Sequence, residues 1–103
     1  MEKLKTIDIY AKEWCDKVNG NSYFSGIITL NYGMKDQESM LMSFQYGYGD
    51  HYIDMAKAQL TEHNKISPIH MEALWQYCDK NKIILRTNKQ TNCKKKEVVN
   101  YGN

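Results

Sequence analysis

The sequence predicts an α+β domain, in which a curved antiparallel sheet of three to five strands carries two helices on one face. Three observations predict this class. Apolar and polar residues alternate through most of the first half of the chain. Turn-forming sequences separate the alternating runs. The spacing of apolar residues then changes to that of helices, so the expected element order is β-β-β-α-α-β-β.

A first strand is predicted over residues 6–14. Its apolar side chains, Ile7, Ile9 and Ala11, recur at every second position, which places them on one face of an extended chain. Asn-Gly follows at residues 19–20, and this dipeptide is the strongest short signal for a hairpin turn. A second strand is therefore expected to fold back beside the first.

The second strand is predicted over residues 22–32, and Gly26 lies in its middle. A glycine inside a strand indicates a bulge or the close approach of another backbone. A polar loop at residues 33–38 leads to the third strand, so the first half is expected to be an antiparallel meander. The apolar faces of these two strands are predicted to be Phe24, Gly26, Ile28, Leu30 and Tyr32, and Met40, Met42, Phe44 and Tyr46.

Two helices are predicted next. Asp50 stands at the N-cap position of the first helix, which is expected over residues 51–63. Ser67-Pro68 is a second start signal, because serine caps helices and proline suits their first position. It predicts a helix over residues 68–81. The apolar stripe of that helix is predicted to be Met71, Leu74, Trp75, Tyr77 and Cys78.

The last part of the chain is predicted to form two strands, over residues 82–87 and 98–101, joined by a lysine-rich connection. No internal repeat or linker divides the chain. Its 103 residues, of which 42% are hydrophobic and 25% charged, are therefore expected to form a single domain.

Composition restricts the function. A net charge of +2 disfavours a polyanionic DNA mimic and makes no global case for nucleic-acid binding. The cysteines are odd in number and lack CxxC spacing, so free thiols are expected, without a disulfide scaffold or zinc finger. Neither a signal peptide nor an apolar run of about 20 residues is visible, so a cytoplasmic protein with no membrane segment is expected.

The first candidate site is the segment FQYGYGDHY, at the junction of the third strand and the first helix. Its glycines allow a backbone to approach a ligand closely, and free amides at a helix start can bind an anion. Asp50, however, is expected to occupy those amides as a cap and to oppose a phosphate. A turn packed over the core edge is the alternative interpretation. The candidate partner- or ligand-binding residues are Tyr46, Tyr48, Asp50, His51 and Tyr52.

The second candidate site is the basic C-terminal third. A lysine-rich hairpin after two helices resembles the wing of a winged helix-turn-helix and could contact phosphates without reading sequence. Three preceding strands and few base-reading side chains argue against that fold, and a solvated loop is the alternative. The candidate nucleic-acid-binding residues are Arg86, Lys89, Lys94, Lys95 and Lys96.

Catalytic and metal chemistry are not indicated. His51, His63 and His70 lack the spacing of metal ligands, so exposed helix histidines are expected. Cys15 has no histidine assigned to it, and Cys78 is expected in the core. We therefore expect a non-enzymatic protein without a catalytic residue, bound metal or cofactor.

Two segments, DKVNGNSYFSGIITLNYG (residues 16–33) and FQYGYGDHYIDMA (residues 44–56), resemble segments of short, uncharacterised bacteriophage or prophage proteins. The resemblance covers the first half only and carries no catalytic residue over. It implies an accessory protein that works in the host cytoplasm. Small phage proteins often bind a host protein, as inhibitors of CRISPR and other defence systems do.

Three functions are therefore expected, in this order. The first is a phage-type accessory protein that binds and inhibits a host protein or nucleoprotein complex through Tyr46, Tyr48 and Tyr52. The second is a nucleic-acid-binding domain that uses the basic hairpin. The third is a small-ligand or nucleotide-binding module at the GYGD junction. An open sheet edge would also permit a homodimer.

Overall fold

The structure is a computed structural model and describes residues 4–67 and 72–102. Within these residues the chain forms one four-stranded sheet and three helices, so the predicted α+β class is confirmed. The elements, in chain order, are β1 (Thr6–Asp16), β2 (Asn21–Leu30), β3 (Glu38–Tyr46), α1 (His51–Glu62), α2 (Leu74–Lys80), β4 (Ile84–Gln90) and α3 (Lys95–Tyr101).

The strands lie side by side in the order β3-β2-β1-β4. The first three form the predicted antiparallel meander, but β4 pairs with β1 in parallel, so the prediction of a purely antiparallel sheet is wrong. The reason is the path between β3 and β4. Helices α1 and α2 carry the chain back along the sheet, and β4 therefore runs in the same direction as β3 and β1. The edge strands are β3 and β4, and a homodimer stays a prediction.

The main core lies between one face of the sheet and helices α1 and α2. Its strand residues alternate along the sequence as predicted, because every second side chain points to the same face. Each helix contributes a stripe with a spacing of four. The buried residues of this core are Ile7, Ile9, Ala11, Phe24, Ile28, Leu30, Met42, Tyr52, Ala56, Leu60, Ile66, Leu74 and Cys78.

A β-bulge interrupts the pairing of β2 with β3, as the glycine in β2 predicts. The register shifts between Phe24 and Gly26, where three steps along β3 face two steps along β2. A Cβ atom on Gly26 would lie 2.6 Å from Met42 Cε and 2.9 Å from the Tyr10 carbonyl oxygen. Only glycine therefore permits the strands to approach this closely.

The same bulge corrects the predicted face of β3. Met42 is fully buried in the core, whereas Phe44 stacks on Tyr23 on the opposite face of the sheet. The extra residue reverses the alternation of β3 and separates Phe44 and Tyr46 from Met42. Tyr32, also predicted to be apolar-face, lies beyond the end of β2 and is 63% exposed.

Helix α2 is described from Leu74, and the predicted start at Pro68 lies outside the described residues, as does Met71. Leu74 and Cys78 are buried as expected, because residues four apart share one helix face. Trp75, predicted on the apolar stripe, is 62% exposed, so this part of the prediction is wrong. Tyr77, also predicted on this stripe, is partly buried against the core.

Helix α3 replaces the predicted fifth strand. It lies on the sheet face opposite α1 and α2, so the sheet carries helices on both faces, whereas helices on one face only were predicted. Val98 is fully buried, and its carbonyl oxygen accepts a hydrogen bond from the Ser25 hydroxyl. A Cβ atom on Gly102 would clash with the Met42 carbonyl oxygen. The end of the chain thus packs directly onto β2 and β3. Two adjacent β-branched valines favour a strand locally, and this packing overrides that preference.

We expect Val98→Ala to lower the free energy of unfolding by about 1–3 kcal/mol, because it removes two buried methyl groups from the contact between α3 and the sheet. Val18→Ala is the matched control. Val18 is 92% exposed, and the same change there should have an effect below about 0.5 kcal/mol. Urea denaturation measures both, and equal effects would contradict the position of α3.

Candidate binding surface at one end of the sheet

One end of the sheet collects both sequence-predicted sites. Strands β1, β3 and β4 all run towards it, and β2 begins there. The turn at residues 17–20, the junction at residues 47–50 and the connection at residues 91–94 are therefore neighbours. We call this the aromatic end, after the rings that line it.

Four rings form a ladder across the strands, on the face opposite the main core. Trp14 stacks on Tyr23 at 5.6 Å between centroids, and Tyr23 stacks on Phe44 at 5.2 Å. Tyr46 meets Tyr23 edge-on at 5.8 Å. Cross-strand aromatic pairs of this kind stabilise a sheet and hold the rings in fixed orientations. Trp14 and Tyr23 were not singled out by the sequence analysis, although alternation from Ile7 places Trp14 on the ladder face.

The GYGD junction follows directly on this ladder. Tyr46 and Tyr48 are 56% and 69% exposed, as expected of contact residues. Tyr52, in contrast, is buried in the core, so its predicted role in partner contact is wrong. The helical period turns it towards the sheet. A recess of about 510 Å³ is lined by Tyr46, Gly47, Tyr48, Asp50, His51 and Asp54.

Two carboxylates border the recess, and neither forms an ion pair with any residue that the structure describes. Asp50 stands at the N-cap position of α1, as predicted, but its side chain makes no capping hydrogen bond. Its carbonyl oxygen instead accepts the amide N–H of Ile53 at 2.9 Å. The carboxylates of Asp50 and Asp54 are both exposed beside the exposed His51. The negative charge of the recess therefore disfavours a phosphate, as predicted, but Asp50 does not occupy the helix amides with its side chain.

Lys89 holds the GYGD junction in place. Its ammonium group donates to Glu13 Oε2 at 2.9 Å and to the Gly49 carbonyl oxygen at 2.7 Å, and it lies 5.7 Å from the centroid of the Tyr52 ring. The Lys89 and Glu13 side chains are only 15% and 14% exposed. Lys89 was predicted to contact nucleic acid. Its charge is instead compensated by Glu13, and its hydrogen bonds connect β4 to β1 and to the GYGD junction.

Arg86 is also engaged within the fold. Its guanidinium makes two hydrogen bonds to the Asp8 carboxylate, of 2.6 and 2.9 Å, across the parallel pair β4 and β1. These bonds raise the pKa of the Arg86 guanidinium further above its ordinary value. The predicted role of Arg86 in phosphate contact is therefore not supported by its surroundings.

The remaining lysines of the basic segment lie on or beside α3. No hairpin exists there, so the predicted wing is wrong. Lys94, Lys95 and Lys96 are exposed, and within residues 4–67 and 72–102 none of them forms an ion pair. The Lys95 ammonium lies 5.4 Å from the centroid of the Trp14 ring. Nucleic-acid contact stays a prediction for these three residues.

The titratable side chains form no metal cluster in the part of the chain that the structure describes. His51 and His63 are exposed, and His70 lies outside the described residues. Cys15 is an exposed free thiol, whereas Cys78 and Cys93 are buried free thiols. Burial raises the pKa of both buried thiols.

None of the described helices combines the length and apolarity that crossing a membrane requires. Comparison of the chain with protein-family models, with curated proteins and with solved structures finds no match.

We expect Lys89→Met to lower the free energy of unfolding by about 1–3 kcal/mol, because it leaves the largely buried Glu13 carboxylate and the Gly49 carbonyl without this partner. Arg86→Met is the control at an exposed pair on the same strand and should cost much less. Thermal denaturation compares the two variants. A smaller effect at Lys89 than at Arg86 would contradict the bridging role.

The thiols should differ in reactivity towards a thiol-specific reagent at pH 8. Thiolate is the reactive form, and the raised pKa and burial of Cys78 and Cys93 slow both, whereas Cys15 is accessible. We expect one fast thiol in the native chain and loss of the fast phase in Cys15→Ser. Three fast thiols in denaturant provide the control. A fast phase that survives Cys15→Ser would show that a buried thiol is accessible.

Proposed function

We propose that this protein is a non-catalytic binding module that docks onto a macromolecular partner through its aromatic end. One observation carries the proposal: Tyr46 and Tyr48, at the end of β3, expose more than half of their surface beside a recess of about 510 Å³. Tyrosine is enriched in protein interfaces because it supplies a large contact area with few rotatable bonds and a polar tip.

Contacts with β2 and β4 hold Tyr46 and the backbone on both sides of Tyr48 in place. Tyr46 rests edge-on against Tyr23 in the ladder, and the Lys89 bridge ties the Gly49 carbonyl to β4. The amide of Gly47 donates to the Ser22 carbonyl oxygen at 3.0 Å. A surface that is ordered before binding loses less conformational entropy when a partner docks, which favours affinity.

Charge indicates the kind of partner surface. The recess is bordered by the Asp50 and Asp54 carboxylates, so a basic patch on the partner would complement it. The phage-protein resemblance supplies the biological proposal: the partner is a host protein or nucleoprotein complex, and docking inhibits it in the manner of anti-defence proteins. Nucleoprotein complexes present many arginine and lysine side chains, in agreement with the acidic recess.

The test compares the wild type with the double variant Tyr46→Ala/Tyr48→Ala. A tagged wild-type chain first identifies the partner in host lysate, and the dissociation constant is then measured with the purified partner. We expect the double variant to bind at least about 30-fold more weakly, because central tyrosines in interfaces commonly contribute about 2 kcal/mol or more. Inhibition of the partner's activity should fall in parallel.

The matched control is Tyr32→Ala. Tyr32 is similarly exposed, at 63%, but lies after β2 at the opposite end of the sheet. It should bind the partner as the wild type does. Equal binding by the double variant and the wild type, or equal losses in the double variant and Tyr32→Ala, would reject the aromatic end as the docking surface.

A further inference from the structure

A second cavity, of about 450 Å³, lies on the other side of the ladder. It opens between the turn after β1 and the connection from β4 to α3, and it shares no lining residue with the acidic recess. Its volume is within the range of cavities that hold small organic groups. The lining residues are Trp14, Cys15, Asp16, Lys17, Val18, Asn92, Cys93, Lys94 and Lys95.

The aromatic wall of this cavity is a rigid ring. Trp14 is held against Tyr23 with an interplanar angle of 25°, and Tyr23 is held against Phe44 with an angle of 9°. The Lys95 ammonium lies over the Trp14 ring, 5.4 Å from its centroid. A base that stacks on this part of the Trp14 ring takes the place of the Lys95 ammonium, which can then contact the phosphate of the same nucleotide.

The charge of the cavity is positive. Lys17, Lys94 and Lys95 line it, and within the described residues none of the three is in an ion pair, whereas Lys12 and Lys89 at the same end each have a carboxylate partner. Lys17 and Lys94 are therefore available to an anionic ligand, whereas Lys95 already contacts the Trp14 ring and interacts electrostatically with Asp16.

Asp16 is the one acidic residue among the lining residues, and its hydrogen bonds are to residues of the turn after β1. Its carboxylate accepts hydrogen bonds from the Asn19 side chain at 2.8 Å and from the Val18 amide at 3.1 Å. These bonds, led by that from the Asn19 side chain, and to a lesser extent the positive charge of Lys95 lower the pKa of Asp16. Asp16 thus stabilises the turn after β1. The three lysines and one aspartate of the lining give it a net charge of about +2.

We propose that this cavity binds a nucleotide unit of a single-stranded nucleic acid. The base stacks against Trp14, and Lys17, Lys94 and Lys95 contact the flanking phosphates. A base inside a duplex is already stacked and paired, so its face cannot reach a ring that is fixed on a sheet, and single strands are preferred. The site is separate from the acidic recess and does not depend on the function proposed for it.

The decisive experiment is fluorescence anisotropy with a labelled oligothymidylate. The triple variant Lys17→Gln/Lys94→Gln/Lys95→Gln should bind at least about tenfold more weakly at about 0.1 M salt, and its plot of log affinity against log salt should be shallower by about 2, as expected for three lost phosphate contacts on a single strand. The charge-matched control is Lys5→Gln/Lys35→Gln/Lys82→Gln, whose lysines are exposed at the opposite end of the sheet. It should bind as the wild type does.

Stacking has its own readout. Trp14→Leu should weaken binding with an unchanged salt slope, while Trp75→Leu, which alters an exposed tryptophan on α2, should not. In a Trp75→Phe background Trp14 is the sole tryptophan, and oligothymidylate should quench its fluorescence. The emission spectrum of Trp14 in the free protein, compared between the wild type and the Lys variants, also shows whether those variants remain folded.

Four results would overturn the proposal. Absence of binding to oligothymidylate rejects the site outright. Equal losses in the two triple variants indicate diffuse attraction to a basic protein. Equal affinity for duplex DNA without quenching of Trp14 rejects base stacking. Equal affinity for thymidine monophosphate assigns the cavity to a free nucleotide and rejects the single strand.

Discussion

Strand β4 lies beside β1 and runs in the same direction, and the arrangement of the rest of the molecule depends on this parallel pairing. It requires the helices α1 and α2 to return along one face of the sheet, where they cover the main core. It also brings the ends of β1, β3 and β4 together. Both candidate surfaces exist only because three connections that are remote in sequence meet at that end.

The parallel pairing also places basic residues of β4 next to acidic residues of β1, where they form ion pairs within the fold. Arg86 and Lys89 on β4 lie beside Asp8 and Glu13 on β1, and each cation finds its carboxylate across the strand pair. Lys89 additionally binds the Gly49 carbonyl, so one ammonium group links the sheet to the GYGD junction. Beside the ladder, the lysines of the turn after β1 and of the start of α3 form no ion pair within the described residues.

The aromatic ladder separates two surfaces of opposite character. Tyr46 and Tyr48 border an acidic recess on one side, and Trp14 borders a cavity with three lysines on the other. Both surfaces rest on rings fixed by their neighbours. The two proposed sites, one for a protein partner and one for a single strand, therefore lie at the same end of the molecule.

The local sequence pattern was enough to predict β1, β2, the bulge at Gly26 and α1, because alternation, helical spacing and the conformational freedom of glycine depend on only a few neighbouring residues. It could not reveal the reversal of β3 after the bulge, the burial of Lys89 or the exposure of Trp75, since each depends on what packs against the residue. The tertiary structure alone decided that β4 is parallel and that residues 95–101 are helical. Their valines favour a strand locally, and the free energy gained by burying Val98 against Ser25 outweighs that preference.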